Sequence, residues 1–432
     1  MRGIPPATLE EVVTNRALRE PARPALLWHE RAILLGRLAG LIASRAEAVS
    51  ACLPPGSTIA CLMSNTPGLV STTLAVWRAG SSLAPLDPWL APAEIARRLA
   101  HSGASGLVVH EEHVERAEAA LRELEAGRRG AGRIVLLVSQ GVRLVPGRLG
   151  PRPRSAARGR PRASDVAFIA YPPEQSGPAR RSAADATPAG APRAIVLTHT
   201  NVMASALRSS IARGDGPEDV ALATHPLWNV SALVSEVLSR FVTGAPVALL
   251  PRPDVGLLAA AIEQHRATDI SLSSDLRALV TESSRLPARA IRSVRKVLSP
   301  ADRVPMTVRR ALADRFPDAE MIETYGRTEA TDGILIARHG VVFRKPDTLG
   351  IPLPGLVVSI LDPAGRALKP RQVGEIACRG AVVMRGYHRA PALTRAVLGD
   401  GSFRTGDLGC IDGDGEVQLV RAREMARDGR TA

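Results

Sequence analysis

Lysine is nearly missing from this 432-residue chain: of 56 basic residues, only Lys296, Lys345 and Lys369 are lysines. The net charge of +14 is therefore carried by arginines scattered among Ala, Gly and Pro, the bias of GC-rich coding rather than of a basic face. Aromatic residues make up 3%, too few for a platform on which bases could stack, so a nucleic-acid partner is disfavoured. Cysteine is also scarce. Cys52, Cys61, Cys378 and Cys410 form no C-x-x-C pair and no metal spacing with His, which leaves them as thiols of a reducing compartment. No apolar run is long enough to span a bilayer: Ala32–Val49 is broken by Arg37, Arg45 and Glu47. Glu10, Glu11, Arg16, Arg19 and Glu20 leave no room for a secretory core near the start. These absences predict a soluble, cytoplasmic protein with no membrane span.

What is present is ordinary globular composition, 45% hydrophobic and 23% charged, on a chain long enough for two or three compact units. The first third alternates in period. Arg31–Cys52 reads as an amphipathic helix, Ser57–Met63 as a buried strand, Pro67–Ala79 as helix and Leu83–Leu86 as strand. Pro92–His101 is again helical and Gly106–Val109 a strand, the rhythm of βαβ units on a parallel sheet. Arg143–Ser164, rich in Pro, Arg and Gly, reads as a solvated loop. From Asp165 the alternation resumes, through the strand Val166–Ala170 and the helix Asn201–Arg213, as far as a strand at Glu320–Glu323. Beyond Gly340 the texture changes to short strands separated by turns, VVFRK, PLPGLVVSILD, GRAL and GEIACRG, which predict a small β-rich, barrel-like unit.

Four segments carry candidate chemistry. Tyr325-Gly326-Arg327-Thr328-Glu329 follows a strand and sets a hydroxyl beside a carboxylate at a turn. Thr405-Gly406-Asp407 puts a carboxylate on a Gly turn, where it can accept from paired hydroxyls or simply cap the turn. WRAGSSLAPLDP joins a helix to a strand. The segment AYPPEQSGPARRSAADATPAGAPRAIVLTHTN ends in a short strand and a polar turn. Each alone reads equally well as scaffold. Their order is what speaks.

Taken together they resemble the adenylate-forming superfamily of acyl- and aryl-CoA synthetases, peptide-synthetase adenylation domains and luciferases. YGRTEA is similar to its Tyr-Gly-x-Thr-Glu motif and GIPLPG to its Gly-x-Pro-x-x-Gly turn; GEIACRGAVVMRGY and FRTGDLGCIDGDGEVQLV are similar to its late core motifs. The resemblance runs from about Trp28 to Met425. It implies an α/β N-terminal region with two parallel-sheet subdomains over 1–339, a β-barrel-like subdomain over 340–420, and a truncated hinge at 421–432. It also implies ATP-dependent conversion of a small-molecule carboxylic acid to an acyl adenylate, with ATP/AMP and Mg²⁺ as ligands and CoA or a carrier-protein thiol as acceptor. Under it Glu329 would hold Mg²⁺, Thr328 would touch the α-phosphate, Tyr325 would stack on adenine, and Asp407 would take the ribose hydroxyls. Arg421 would also contact the nucleotide, and Asn229, Ser231, Pro300, Ala301 and Gly333 would line the acyl site.

The chain departs from the family pattern at three places. Between Tyr171 and Pro192-Arg193-Ala194 the phosphate loop is stretched, with Thr187 and Gly190 as its remaining hydroxyl and glycine near the closing end. Pro172, Pro173, Pro178 and Pro188 each remove an N–H that such a loop would donate, and Arg193 stands for the usual Lys. Asn229 replaces a His and cannot titrate. The family's mobile C-terminal domain, with its catalytic Lys, is expected to be missing after Ala432, so thioester formation would need a separate protein. Two readings follow: an acid-activating ligase, or a catalytically impaired homologue that binds without turning over.

Overall fold

A computed structural model describes residues 7–127, 134–140, 143–148, 161–172, 192–282, 286, 291–300 and 304–420. Two sheets organise them, flanked by helices. In the first, Thr58–Leu62 takes Ser82–Leu86 on one side and Gly106–His110 on the other, all parallel. Val135–Gln140 and Val166–Ala170 extend it at either end in the same direction. These strands are apolar nearly throughout because helices cover both faces. Ile195–Thr198 then runs antiparallel to Val166–Ala170, and Gly386–Tyr387, from far along the chain, pairs antiparallel to it in turn.

Local signals set the helices against these strands. Thr66 caps the helix Pro67–Arg78 through the Leu69 N–H, with Pro67 in the first turn, where a missing N–H costs nothing. Its last turn carries Trp77, whose fully buried indole donates to the Ala167 carbonyl at 2.9 Å and meets Phe168 and His199 edge-on. Burial pulls the His199 imidazole down to about 4, so it packs there as a neutral ring. Thr198 and Asn201 cap each other's backbone at the start of the helix His199–Arg213. The Asn201 amide then donates to the carbonyls of Ala381 and Val383, both at 2.8 Å. The THTN turn thus joins the first sheet to the late motif.

The second sheet runs, in parallel, through Pro24–Trp28, Val247–Leu249, Ala221–Ala223, Asp269–Ser271, Lys296–Pro300 and Glu320–Gly326. It continues antiparallel through Gly333–Arg338 and Thr348–Pro352. The short strands after 340, Val417–Leu419, Ser402–Ile411, Gly374–Arg379 and Val357–Leu361, pair antiparallel in that order, and Thr348–Pro352 links them to the second sheet.

Three expectations are corrected. Residues Arg31–Leu34 are not helical; they form the second arm of a hairpin with Pro24–Trp28, covering the edge of the second sheet, and the helix begins at Leu35. Arg143–Arg148 is an edge strand on Val135–Gln140 rather than loop, a position that tolerates Pro146. VVFRK is not a strand. His339–Val342 is a helical turn with Val342 turned inward, and the Arg309 guanidinium, paired with Glu323, donates to the Val342 and Pro346 carbonyls. No described helix is long and apolar enough to cross a membrane.

At the amino ends of the second sheet's strands lies a buried ion network. Arg240 Nη1 sits 2.8 Å from Asp215 and 2.7 Å from Asp269, Arg213 pairs with Asp215 at 2.7 Å, and Lys296 reaches Asp219 at 3.0 Å. Asp215, Asp219 and Asp269 are close enough together to hold a metal ion, but the Lys296 ammonium and the Arg240 guanidinium already neutralise them. Burial alone would raise the Asp215 carboxyl; Arg213 and Arg240 outweigh it and hold the group below the ordinary carboxylate range.

Candidate functional site

The site forms at the carboxyl ends of the second sheet's parallel strands, where ligands of open α/β sheets bind. Pro300 and Thr324 are register partners at the ends of Lys296–Pro300 and Glu320–Gly326. The chain then turns tightly. The Arg327 N–H donates to the Asp332 carbonyl at 2.9 Å, a 3₁₀ turn spans Thr328–Ala330, and Gly333 starts the returning strand opposite Gly326. Gly326 must be glycine, since a Cβ there would lie 1.7 Å from the Asp332 carbonyl oxygen. Thr331 closes the turn at φ 67, a conformation a β-branched residue seldom adopts, and its hydroxyl donates to the Val382 carbonyl at 2.6 Å.

This turn presents two carboxylates. Glu329 is 7% exposed, and its Oε1 accepts from the Tyr387 hydroxyl at 2.8 Å. Among the described residues nothing donates to Oε2 of Glu329. The Tyr325 hydroxyl donates to Asp407 Oδ2 at 2.5 Å, and the Arg327 guanidinium pairs with the same oxygen. Asp407 itself is placed by the strand Ser402–Ile411, where the Thr405 hydroxyl donates to the Ile376 carbonyl and the Gly406 N–H donates to Glu375.

The structure brings most of the expected residues together. The Ser231 hydroxyl lies 3.4 Å from that of Thr328. Asn229 caps the helix carrying Ser231, accepting the Ser231 N–H at 3.1 Å, so its side chain does local structural work. That helix runs on through a π-helical stretch, Leu233–Leu238, from which the Glu236 carboxylate pairs with His225. Burial would lower the His225 imidazole, but Glu236 beside it raises it instead. Burial pushes Asp332, at the foot of the turn, up to about 7. The Arg193 guanidinium lies 5.7 Å from the ring centre of Tyr387, the residue whose hydroxyl holds Glu329. Thr187, Gly190, Ala301 and Arg421 lie outside the described residues.

Tyr387 and Arg327 escape reading from the sequence. Each acts through a partner 58 or 80 residues away, and the only local sign of Tyr387 is its place at the end of GEIACRGAVVMRGY.

The family model for AMP-binding enzymes matches residues 13–172 and 189–388. This chain belongs to the AMP-binding enzyme family. The break in the match falls inside the stretched loop between Tyr171 and Arg193. Among AMP-binding relatives, a feruloyl-CoA synthase of Amycolatopsis is 28% identical over 424 residues, covering 96% of this chain and 79% of that protein. The 4-coumarate–CoA ligase 2 of rice is 32% identical over 252 residues, 55% of this chain and 44% of that one. In fold the chain is similar to a benzoate CoA ligase from Burkholderia xenovorans, with a TM-score of 0.79 at 23% identity over 97% of this chain and 80% of that one. It is also similar to the O-succinylbenzoate coenzyme A synthetase of Bacillus subtilis solved with ATP and magnesium, with a TM-score of 0.77 at 22% identity, covering 96% and 79%.

Proposed function

We propose that this chain activates a carboxylic acid with ATP as the acyl adenylate, releasing pyrophosphate, and that CoA is the thiol acceptor, as the names of its relatives suggest. One observation carries the reading. Glu329, Thr328, Ser231 and Arg193, from three separate stretches of sequence, converge on a single turn, with Asp407 anchored to Tyr325 at its start.

The residues fit the implied ligands. A single buried carboxylate with one oxygen left open suits Mg²⁺, which keeps most of its shell for water and phosphate, and Glu329 Oε2 offers that oxygen. When bound, Mg²⁺ neutralises charge that develops on the phosphate oxygens. The Thr328 hydroxyl, backed by Ser231, would donate to a phosphoryl oxygen, and Arg193 would supply positive charge at the loop's end. Asp407 would accept from ribose while Tyr325 and Arg327 hold it in place, and the Tyr325 ring would flank the base. The acid would enter between Ser231, Pro300 and Gly333, with aryl acids of the hydroxycinnamate and benzoate kind as the first candidates.

Acid-dependent exchange of labelled pyrophosphate into ATP, run across cinnamates, benzoates and short aliphatic acids, tests this. Exchange with at least one class is the expected result. A folded protein that exchanges with none overturns it. For the nucleotide roles, Asp407→Ala is expected to weaken ATP binding by roughly tenfold or more, the loss of a charged hydrogen bond. Calorimetry showing equal affinity would remove Asp407 from the nucleotide site.

A further inference from the structure

We infer that Tyr387 is a positioning residue that sets the Glu329 carboxylate for a metal ion and couples it to Arg193 at the closing end of the phosphate loop. The inference rests on the reading of Glu329 given under Proposed function.

Three sets of contacts lead to it. The phenol hydroxyl takes one carboxylate oxygen of Glu329 at 2.8 Å and leaves the other unengaged among the described residues. A flexible three-torsion side chain is thereby fixed with a single oxygen to offer. The same ring lies against the Arg193 guanidinium at 5.7 Å, within range of a cation–π contact. One residue therefore touches both the carboxylate that would hold the cation and the cation that would meet the phosphates.

The backbone around Tyr387 is held from every side. Tyr387 pairs with Ile195, the neighbouring Arg385 N–H donates to the Val196 carbonyl, and His388 donates to the Ala194 carbonyl. The Tyr387 N–H is itself bound by the Thr394 hydroxyl at 2.9 Å. Three residues back, the Met384 N–H donates to the Glu329 carbonyl at 2.8 Å. Segment 382–388 is thus bonded to the first sheet on one side and to the Glu329 turn on the other. A shift of the strand Ile195–Thr198, which follows Arg193, would be felt at Glu329 through this segment.

The contacts dictate a particular defect. Tyr387→Phe keeps the ring under Arg193 and removes the hydrogen bond to Glu329. Losing the partner that orients a metal ligand commonly costs 10- to 100-fold in metal affinity. The Mg²⁺ concentration for half-maximal pyrophosphate exchange should therefore rise about 10-fold or more, with a larger loss of rate at limiting Mg²⁺ than at saturating Mg²⁺. The same rise should be seen without turnover, in the Mg²⁺ midpoint of the thermal shift induced by ATP. The melting temperature of the ligand-free protein should fall slightly, because the buried Glu329 carboxylate loses its side-chain donor. Tyr387→Leu, which also removes the ring, should in addition raise the KM for ATP; an equal KM in the two variants would overturn the coupling to Arg193.

An unmoved Mg²⁺ midpoint in Tyr387→Phe would overturn the inference, whether or not the rate falls. So would a lower melting temperature with the midpoint unmoved, since that marks a merely structural hydroxyl. If the unaltered protein shows neither Mg²⁺-dependent exchange nor Mg²⁺-dependent stabilisation by ATP, the reading of Glu329 fails first and takes the inference with it.

Discussion

Arg240→Ala is expected to destabilise the protein by roughly 3–5 kcal/mol, the usual cost of removing one partner from a buried ion pair. Arg240 is 1% exposed and bridges Asp215 and Asp269, whose side chains are fully enclosed. Arg213 and Lys296 remain after the change, but the ion pair of Arg213 is with Asp215, and Lys296 stands 3.5 Å from Asp269 where Arg240 stood at 2.7 Å. A carboxylate would be left without close compensation in a low-dielectric setting. The pH dependence has a definite sign. Asp215 sits below its ordinary 3.8 in the folded protein, so its pairing adds stability above that pH and loses it as pH falls through the folded value. The deficit of Arg240→Ala should therefore be large near neutrality and shrink in acid. Thermal melts of both proteins from pH 7 to below pH 3.8 would show this, and equal melting temperatures at pH 7 would sink it. Replacing Asp269 by Asn in the same variant should recover part of the loss, because the uncompensated charge goes with it.

The residues that form this network were illegible in the sequence, and the reason is geometric. Arg240 and Asp269 are 29 positions apart and meet only because a helix and a strand start are laid across each other. Nothing in local periodicity marks the pair. By contrast, the parallel alternation of the first sheet was plain, since buried strands must be apolar on both faces and the helices between them carry their own caps at Thr66 and Thr198. The failures were of the same kind as the network. Arg31–Leu34 has an apolar pattern a helix could use, yet the open edge of the second sheet claims it as a hairpin arm. His339–Val342 is rich in β-branched residues, yet it coils, and an arginine from a distant helix takes its Val342 carbonyl. In the candidate site the motif residues Thr328, Glu329 and Asp407 meet through Tyr325 and Arg327 of one turn. The side chains that hold them, Tyr387 and Arg327, come from pairings the sequence does not write locally.

Glu329→Gln is expected to lower pyrophosphate exchange by roughly 100-fold or more, on the scale of losing one preorganised electrostatic group at a reacting phosphate. The substitution is nearly isosteric. Its amide oxygen can still accept from Tyr387, and the backbone link to Met384 is untouched. What disappears is one negative charge at a side chain only 7% exposed. Holding that charge away from water, with one neutral hydroxyl for company, is unfavourable to the fold unless a cation arrives. Glu329→Gln should therefore leave the melting temperature of the ligand-free protein unchanged or raised, while the stabilisation by ATP with Mg²⁺ shrinks. A residue kept for packing would behave the other way, with a lower melting temperature and exchange little altered. Measuring both quantities on the same preparation separates the two, because a functional carboxylate trades stability for charge where the substrate needs it.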